Sequence, residues 1–485
     1  MPDHAPRPNI LFCIADDASH FGCYGHRFVR TPHADRVARE GVRFTNMFTT
    51  NPKCAPSRAS IVTGMHTWQL KEACNHWNVF PGADEFAVYS DLLMAGGYHV
   101  GHTGKGWGPG DYRRRGRVHN PAGPHFMDRR LTPPAGSCIS PCDYAGNFAD
   151  FLAARPVGAP FCFWYGGFEP HRPYTRGEGL RDGKRPDDVD RVPPYWPDEE
   201  VVRRDMLDYA FEIEWFDRHV GLMLEQLEAR GELDNTLVIV TSDNGCPFPR
   251  VKGQMYDDDF RLPFVAMWRD RVTPGRVIED LCSFIDLAPT FLEVAGLPIH
   301  PQIAGRSLTD VLGAQGSGMV TAHRRRAFMG RERHDVGREG DVGYPVRCIR
   351  TPEWLYVRNF RPDLWPAGDP VTGFTDCDSS PTKARVIELH EKGDDGCYRL
   401  CFGKRPAEEL YDIRCDPHCL DNLADVPEHA ALKDQLWREL EAKLRETGDP
   451  RIFGQGDVFD TYEYTGSTPH SWAHHLAGDW QPQSY

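Results

Sequence analysis

Two short apolar runs constrain this chain more than any other feature. NILFCIA, residues 9 to 15, stops at Asp16-Asp17, and LVIVTS, residues 237 to 242, stops at Asp243-Asn244. Both are strand-sized and continuously apolar, the texture of strands covered on both faces. Helix-like segments alternate with them. TPHADRVAREGVRF has helical spacing after a Thr-Pro start, FCFWYGGF reads as a buried strand, and Asp205 to Arg230 carries apolar residues at near-helical intervals. Such alternation predicts an α/β fold, a large mostly parallel sheet flanked by helices. At 485 residues the chain exceeds one minimal core. The pattern breaks at GAQGSGMVTAH, residues 313 to 323, and AFMGRERH resumes it as a further strand. After about Val342 come short strands (VRCIRT, WLYVRNF), Pro/Gly-rich turns and one amphipathic helix from about Pro427 to Glu446. The expected division is a main domain over 1–342 and a smaller C-terminal α+β subdomain over 343–485, with a short antiparallel sheet and one helix.

In open α/β sheets ligands sit beyond the carboxyl ends of the strands. If the two acid-terminated strands are neighbours, three carboxylates and an amide meet there. Buried charges of one sign repel, and a hard divalent cation with oxygen ligands relieves them. A single aspartate commonly caps a helix or faces water; two pairs at matching strand ends favour metal. Calcium fits an all-oxygen set, with magnesium next, and no histidine accompanies the acids to favour zinc.

A second stretch, CAPSRASIVTG at residues 54 to 64, reads as a short helix with Pro56 in its first turn and Gly64 at its end. Cys54 then sits at the N-terminus, where backbone N–H groups favour an anion and would lower a thiol's pKa. Arg58, one turn in, offers a planar fork for sulfate or phosphate. Taken alone, Cys54 would be better read as an inert buried cysteine.

The formal charge of −14 and pI near 5.8 argue against a nucleic-acid surface or a polybasic membrane patch, and they demand a local basic cluster for any anionic substrate. No apolar run reaches membrane-helix length, and the start, MPDHAPRPNILFCIADD, has neither a basic n-region nor a long apolar h-region. As written the chain reads as soluble and cytoplasmic, or as periplasmic or secreted if a leader was removed. Fifteen cysteines include three Cys-x-x-x-Cys pairs, 138/142, 397/401 and 415/419. The last two pairs have spacing that a four-thiolate zinc site permits, but free or locally bridged cysteines are the simpler reading. The glycines of GKGWGPG fit neither the dinucleotide nor the P-loop pattern.

CAPSRASIVTG matches the signature of the type I sulfatases, Cys-x-Pro-Ser-Arg followed by Thr-Gly, and the resemblance extends along most of the chain. NILFCIADD is similar to that family's first strand and Asp pair, GYHVGHTGKGWG to its lysine segment, GGFEPHRPY to its histidine segment, VTSDNGCPFPRVKGQ to its Asp-Asn pair with a basic residue, and ELYDIRCDPHCLDNLA to its closing motif. The resemblance implies an alkaline phosphatase-like fold and a Cα-formylglycine made from Cys54 by a formylglycine-generating enzyme, with the hydrated aldehyde as nucleophile. It also implies calcium held by Asp16, Asp17, Asp243, Asn244 and the modified Cys54, with Arg58, Lys105, His171 and Lys252 around the sulfate and His171 protonating the leaving group. One position departs from the pattern: where many sulfatases have a histidine two places after the lysine, this chain has Trp107, leaving His102 or His119 to reach the site, or a different route of breakdown.

DNGCPFP, NHWNVF and GYPVRCIRTPEWLYVRNF are similar to N-sulfoglucosamine sulfohydrolases of the heparan type. That similarity implies a sulfated saccharide substrate, with the N-sulfate of glucosamine as the expected group and His76 and His334 as candidate sugar contacts. The alternatives are an O-sulfatase on another glycan, a phosphonate or phosphate monoester hydrolase, and a non-catalytic glycan-binding protein in which Cys54 stays a thiol.

Overall fold

The structure is a computed structural model and describes residues 7–482. Its centre is an eight-stranded sheet in the order Cys282–Ser283, Val42–Phe48, Arg261–Met267, Thr236–Ser242, Asn9–Ala15, Phe161–Gly166, His99–Gly104, with Arg276–Ile278 also pairing with Val42–Phe48. The two acid-terminated strands are neighbours: Asn9–Ala15 runs parallel to Thr236–Ser242 with Ala15 opposite Ser242. On its other side it runs parallel to Phe161–Gly166, and His99–Gly104 continues the parallel set. Only Arg261–Met267 runs antiparallel to both its neighbours, so the sheet is mostly parallel as expected.

The continuous apolar runs follow from two covered faces. Along Asn9–Ala15, Ile10, Phe12 and Ile14 enter one core cluster and Leu11, Cys13 and Ala15 the other. Helices Cys54–Thr63, Tyr89–Ala95 and Leu287–Val294 supply the first cluster, and Pro32–Glu40, Tyr144–Ala154 and Glu200–Ala229 the second. The longest helix begins at Glu200, ahead of the expected Asp205, because its first turn also buries Val202.

A four-stranded antiparallel sheet follows in the order Ala327–Arg331, Val346–Arg350, Trp354–Asn359, Glu408–Asp412. AFMGRERH therefore opens the second sheet instead of extending the first, and lies ahead of residue 342. Helix Ala430–Glu446 buries Leu436, Leu440 and Leu444 in a cluster that also holds Ile349, Tyr356 and Trp68, so the core is continuous between the sheets. The C-terminal part holds more than the one helix expected there. Pro381–Glu391 packs Val386 into the second cluster, and Gly396–Cys401 follows it. The sequence signal for the first was present, since Ser380 caps it and Pro381 occupies N1. Among the described residues no helix is long and apolar enough to cross a membrane.

Candidate active site

Parallel pairing brings the ends of four strands to one edge, and the loops beyond them carry the acids and bases. Asp17, two residues past the central strand, has φ +77°, a left-handed backbone conformation. Its backbone N–H donates to Asp243 Oδ1 at 3.1 Å, and its Oδ1 accepts from Asn244 Nδ2 at 2.7 Å. Oxygens of Asp16, Asp17 and Asp243, all three residues buried, lie within 4.8 Å of one another. Cations are interleaved with them. Lys105 Nζ is 2.5 Å from Asp16 Oδ2, Lys252 Nζ is 2.6 Å from Asp17 Oδ2, and Arg58 Nε is 2.7 Å from Asp243 Oδ2. Burial acts on every member, yet the carboxylates hold both lysines above the ordinary ammonium range, and Lys105 keeps Asp16 below the ordinary carboxylate range.

Two oxygens are left over: Asp16 Oδ1 and Asn244 Oδ1 are buried without a hydrogen-bond partner. An orphaned carboxylate oxygen in the interior costs free energy, on the order of 1–3 kcal/mol or more. Hard oxygen donors around one point, two of them unpartnered, fit a divalent cation of the calcium or magnesium type.

Cys54 occupies the first position of helix Cys54–Thr63, with Sγ 4.0 Å from Asp17 Oδ1. Gly64 terminates the helix at φ +68°, donating its N–H to the Ser60 carbonyl, as the sequence predicts. The expected lowering of the thiol's pKa is not found. Cys54 is 1% exposed, and burial, with Asp16 and Asp17 adding to it against Lys105 and Lys252, pushes the thiol far above its ordinary value. Desolvation outweighs the helix terminus here and favours the protonated, less nucleophilic form of the unmodified side chain.

Arg58 also differs from expectation. Besides Asp243 it donates from Nη1 to the carbonyls of Lys105 and Gly106, at 2.6 and 3.0 Å, leaving only Nη2 without a partner, 3.7 Å from Asp16 Oδ1. It is wholly buried and ties three loops together.

A cavity of about 710 Å³ adjoins this cluster, lined on the near side by Asp16, Lys105, His171 and Lys252. His171 is partly exposed; its Nδ1 lies 2.6 Å from the Arg172 carbonyl and its Nε2 4.0 Å from Asp17 Oδ2. A carbonyl only accepts, so the Nδ1 proton is committed and Nε2 faces the cluster. The cavity also holds residues that sequence reasoning missed. Lys53 Nζ is 3.0 Å from Asp335 Oδ2, and Asp378 Oδ2 is 2.9 Å from Lys252 Nζ. Lys53 was visible as the neighbour of Cys54; Asp335 and Asp378 sit in loops with no motif. Of the two expected sugar contacts, His76 lines the cavity, whereas His334 is buried against Asn51, 2.9 Å from its Oδ1, and the adjacent Asp335 reaches the cavity instead.

The indole of Trp107 is buried edge-to-face against Phe80. Neither histidine suggested to replace it takes part. His102 is buried and donates from Nδ1 to the Gly123 carbonyl at 2.8 Å, its pKa pushed down to about 4 by burial, and His119 is exposed outside the cavity. All fifteen cysteines are free, and none of the ligand clusters among the described residues includes Cys397, Cys401, Cys415 or Cys419.

The chain is similar to known proteins in sequence and in fold. Residues 8–297 match the sulfatase family model. An ulvan-active sulfatase of Formosa agariphila is 27% identical over 94% of this chain and 77% of its own length. Human N-sulphoglucosamine sulphohydrolase is 28% identical over 93% of both chains. Among solved structures, a complex of a protein with its substrate D-glucosamine-2-N,6-O-disulfate superposes with TM-score 0.66 at 21% identity, covering 91% of this chain and 98% of the other. The phosphonate monoester hydrolase of Agrobacterium radiobacter does so with TM-score 0.66 at 18% identity, covering 92% and 97%.

Proposed function

The chain belongs to the sulfatase family, and from that membership as a hydrolase of sulfuric esters on glycans we propose that it removes the N-sulfate of a glucosamine residue in a heparan-type saccharide. One observation carries the site assignment: Asp16 Oδ1 and Asn244 Oδ1 are buried without a hydrogen-bond partner in the cluster of acids and bases beside Cys54. The 28% identity with a human N-sulphoglucosamine sulphohydrolase, spread over nearly the whole of both chains, supports the choice of substrate.

Asp16, Asp17, Asp243 and Asn244 would hold calcium, with magnesium as the alternative, and the bound ion would supply charge neutralisation and Lewis acidity. A formylglycine derived from Cys54 by a formylglycine-generating enzyme would supply the nucleophile that the protonated thiol is not. Lys105 and Lys252, kept cationic by Asp16 and by Asp17 with Asp378, offset charge on the sulfuryl oxygens. His171, its Nδ1 fixed by the Arg172 carbonyl, delivers a proton from Nε2 to the departing nitrogen or oxygen. Arg58 holds Asp243 and the Lys105 loop in place.

Sulfate release from N-sulfated glucosamine, 6-O-sulfated glucosamine and a phosphonate monoester separates the substrate classes. The first should be turned over at least tenfold faster than the others, and the reverse order would replace this reading with an O-sulfatase or a phosphonate hydrolase. Cys54→Ala should abolish release, and a mass spectrum of the peptide containing residue 54 should show the aldehyde in active protein. Full activity with an unmodified thiol would reject the nucleophile.

A further inference from the structure

One polar array in the cavity is not used by the chemistry at the metal edge. Asp335, buried in the loop after strand Ala327–Arg331, receives donors on both oxygens: Lys53 Nζ at 3.0 Å on Oδ2, and His76 Nδ1 at 3.2 Å with the Tyr464 hydroxyl at 3.0 Å on Oδ1. Its own N–H is fixed by Asp376 Oδ1 at 2.8 Å. A carboxylate so surrounded accepts, so the His76 proton is on Nδ1 and a lone pair is left on Nε2. That nitrogen is buried and has no partner, although His76 is only 6% exposed and lines the cavity. An unpartnered acceptor at a cavity wall asks for a donor that enters with the ligand. Beside it Trp77, also lining the cavity, leaves its indole 37% exposed, an apolar face next to a polar acceptor.

We propose that His76, oriented by Asp335, and the exposed face of Trp77 form the subsite for the pyranose ring that carries the sulfate, Nε2 accepting from a ring hydroxyl while the indole covers the ring's C–H face. The subsite rests on the reading of the chain as a saccharide sulfatase. Lys53 and Tyr464 act through Asp335 by fixing the histidine's tautomer, and Asp335 is a positioning residue.

The test compares two substrates of sulfuryl transfer to water, p-nitrophenyl sulfate, an ester cleaved at S–O that has no pyranose, and N-sulfated glucosamine, a sulfamate cleaved at S–N, in wild type, His76→Gln, Asp335→Asn and Trp77→Ala. For each variant the ratio of kcat/KM on the sugar to that on the aryl sulfate should fall at least tenfold, chiefly through KM. Trp77→Ala changes an exposed side chain and keeps the measurement meaningful if a buried variant folds poorly. As a second readout, Cys54→Ala protein should bind N-sulfated glucosamine, and adding His76→Gln should weaken that binding at least tenfold. Equal falls on both substrates, or unchanged binding, would overturn the subsite and leave the sulfatase reading standing. Loss of both activities on Cys54→Ala alone tests that other reading separately.

Discussion

Arg58 shows what a residue's type leaves unsaid. In the sequence it is a guanidinium one turn into a helix, suited to an oxyanion, but its buried Nε goes to Asp243 and Nη1 to two loop carbonyls. Removing it leaves a buried carboxylate uncompensated, so Arg58→Ala should lower stability by about 3–5 kcal/mol in urea titrations of the metal-free protein. Added calcium should recover part of that loss by taking over the charge, and no recovery would argue against a cation among these acids. The orphaned oxygens give a companion expectation. Chelation of wild type should lower Tm and calcium should restore it, with Asp16→Asn and Asp243→Asn blunting the response. The acids themselves were legible because each ends an apolar run. Asp335 and Asp378 were not, since loops with no periodicity bring them to the cavity and only the tertiary fold makes them neighbours of Lys53 and Lys252.

Helix Cys54–Thr63 is buried along all ten residues, so it is held by specific contacts and not by an amphipathic stripe. Ser57 Oγ donates to the Asp243 carbonyl at 2.5 Å and Thr50 Oγ1 to Ser60 Oγ at 2.5 Å, fastening the helix to the Asp243 loop and to the segment that follows strand Val42–Phe48. Gly64 ends it where a Cβ would meet Ile303 Cγ2 at 2.9 Å, in a left-handed conformation. Gly64→Ala should therefore cost about 1–2 kcal/mol from backbone strain alone, read as a lower urea midpoint. The long helix Glu200–Ala229 carries a separate pH expectation. Asp217 accepts from the His33 and Ala34 N–H groups at the start of helix Pro32–Glu40, and burial pushes its carboxyl up to about 7. The folded chain then holds that proton more tightly than the unfolded one. Its contribution is present below about pH 4 and is lost as pH rises through 7. Urea stability should decline across that window, and Asp217→Asn should flatten the decline. Both helices were legible from spacing and capping signals; the capping of one by a side chain of the other was not, because nothing in either segment names its partner.

Over the whole molecule, a charge of −14 surrounds a cavity whose lysines are each matched by a carboxylate. A net charge of this sign opposes long-range attraction of a polyanion and favours recognition at contact distance. Retention on immobilised heparin at about 0.15 M salt should be negligible, and kcat/KM on a highly sulfated oligosaccharide should hold or rise with ionic strength; a steep fall would reveal a basic surface path. The alternation of segments made the main sheet legible. The place of Ala327–Arg331 in the second sheet was not, since an apolar strand of that length suits either sheet until its antiparallel partner Val346–Arg350 is known.

The concealment of residue 54 sets an order of events. With that side chain 1% exposed under a fully covered helix, an oxidising enzyme has no approach once the sheet has closed. Under the proposed maturation, conversion is a race that the nascent chain must lose slowly. Protein folded in a host without the converting enzyme should remain inert when that enzyme is supplied afterwards, yet gain the aldehyde when it is supplied during translation.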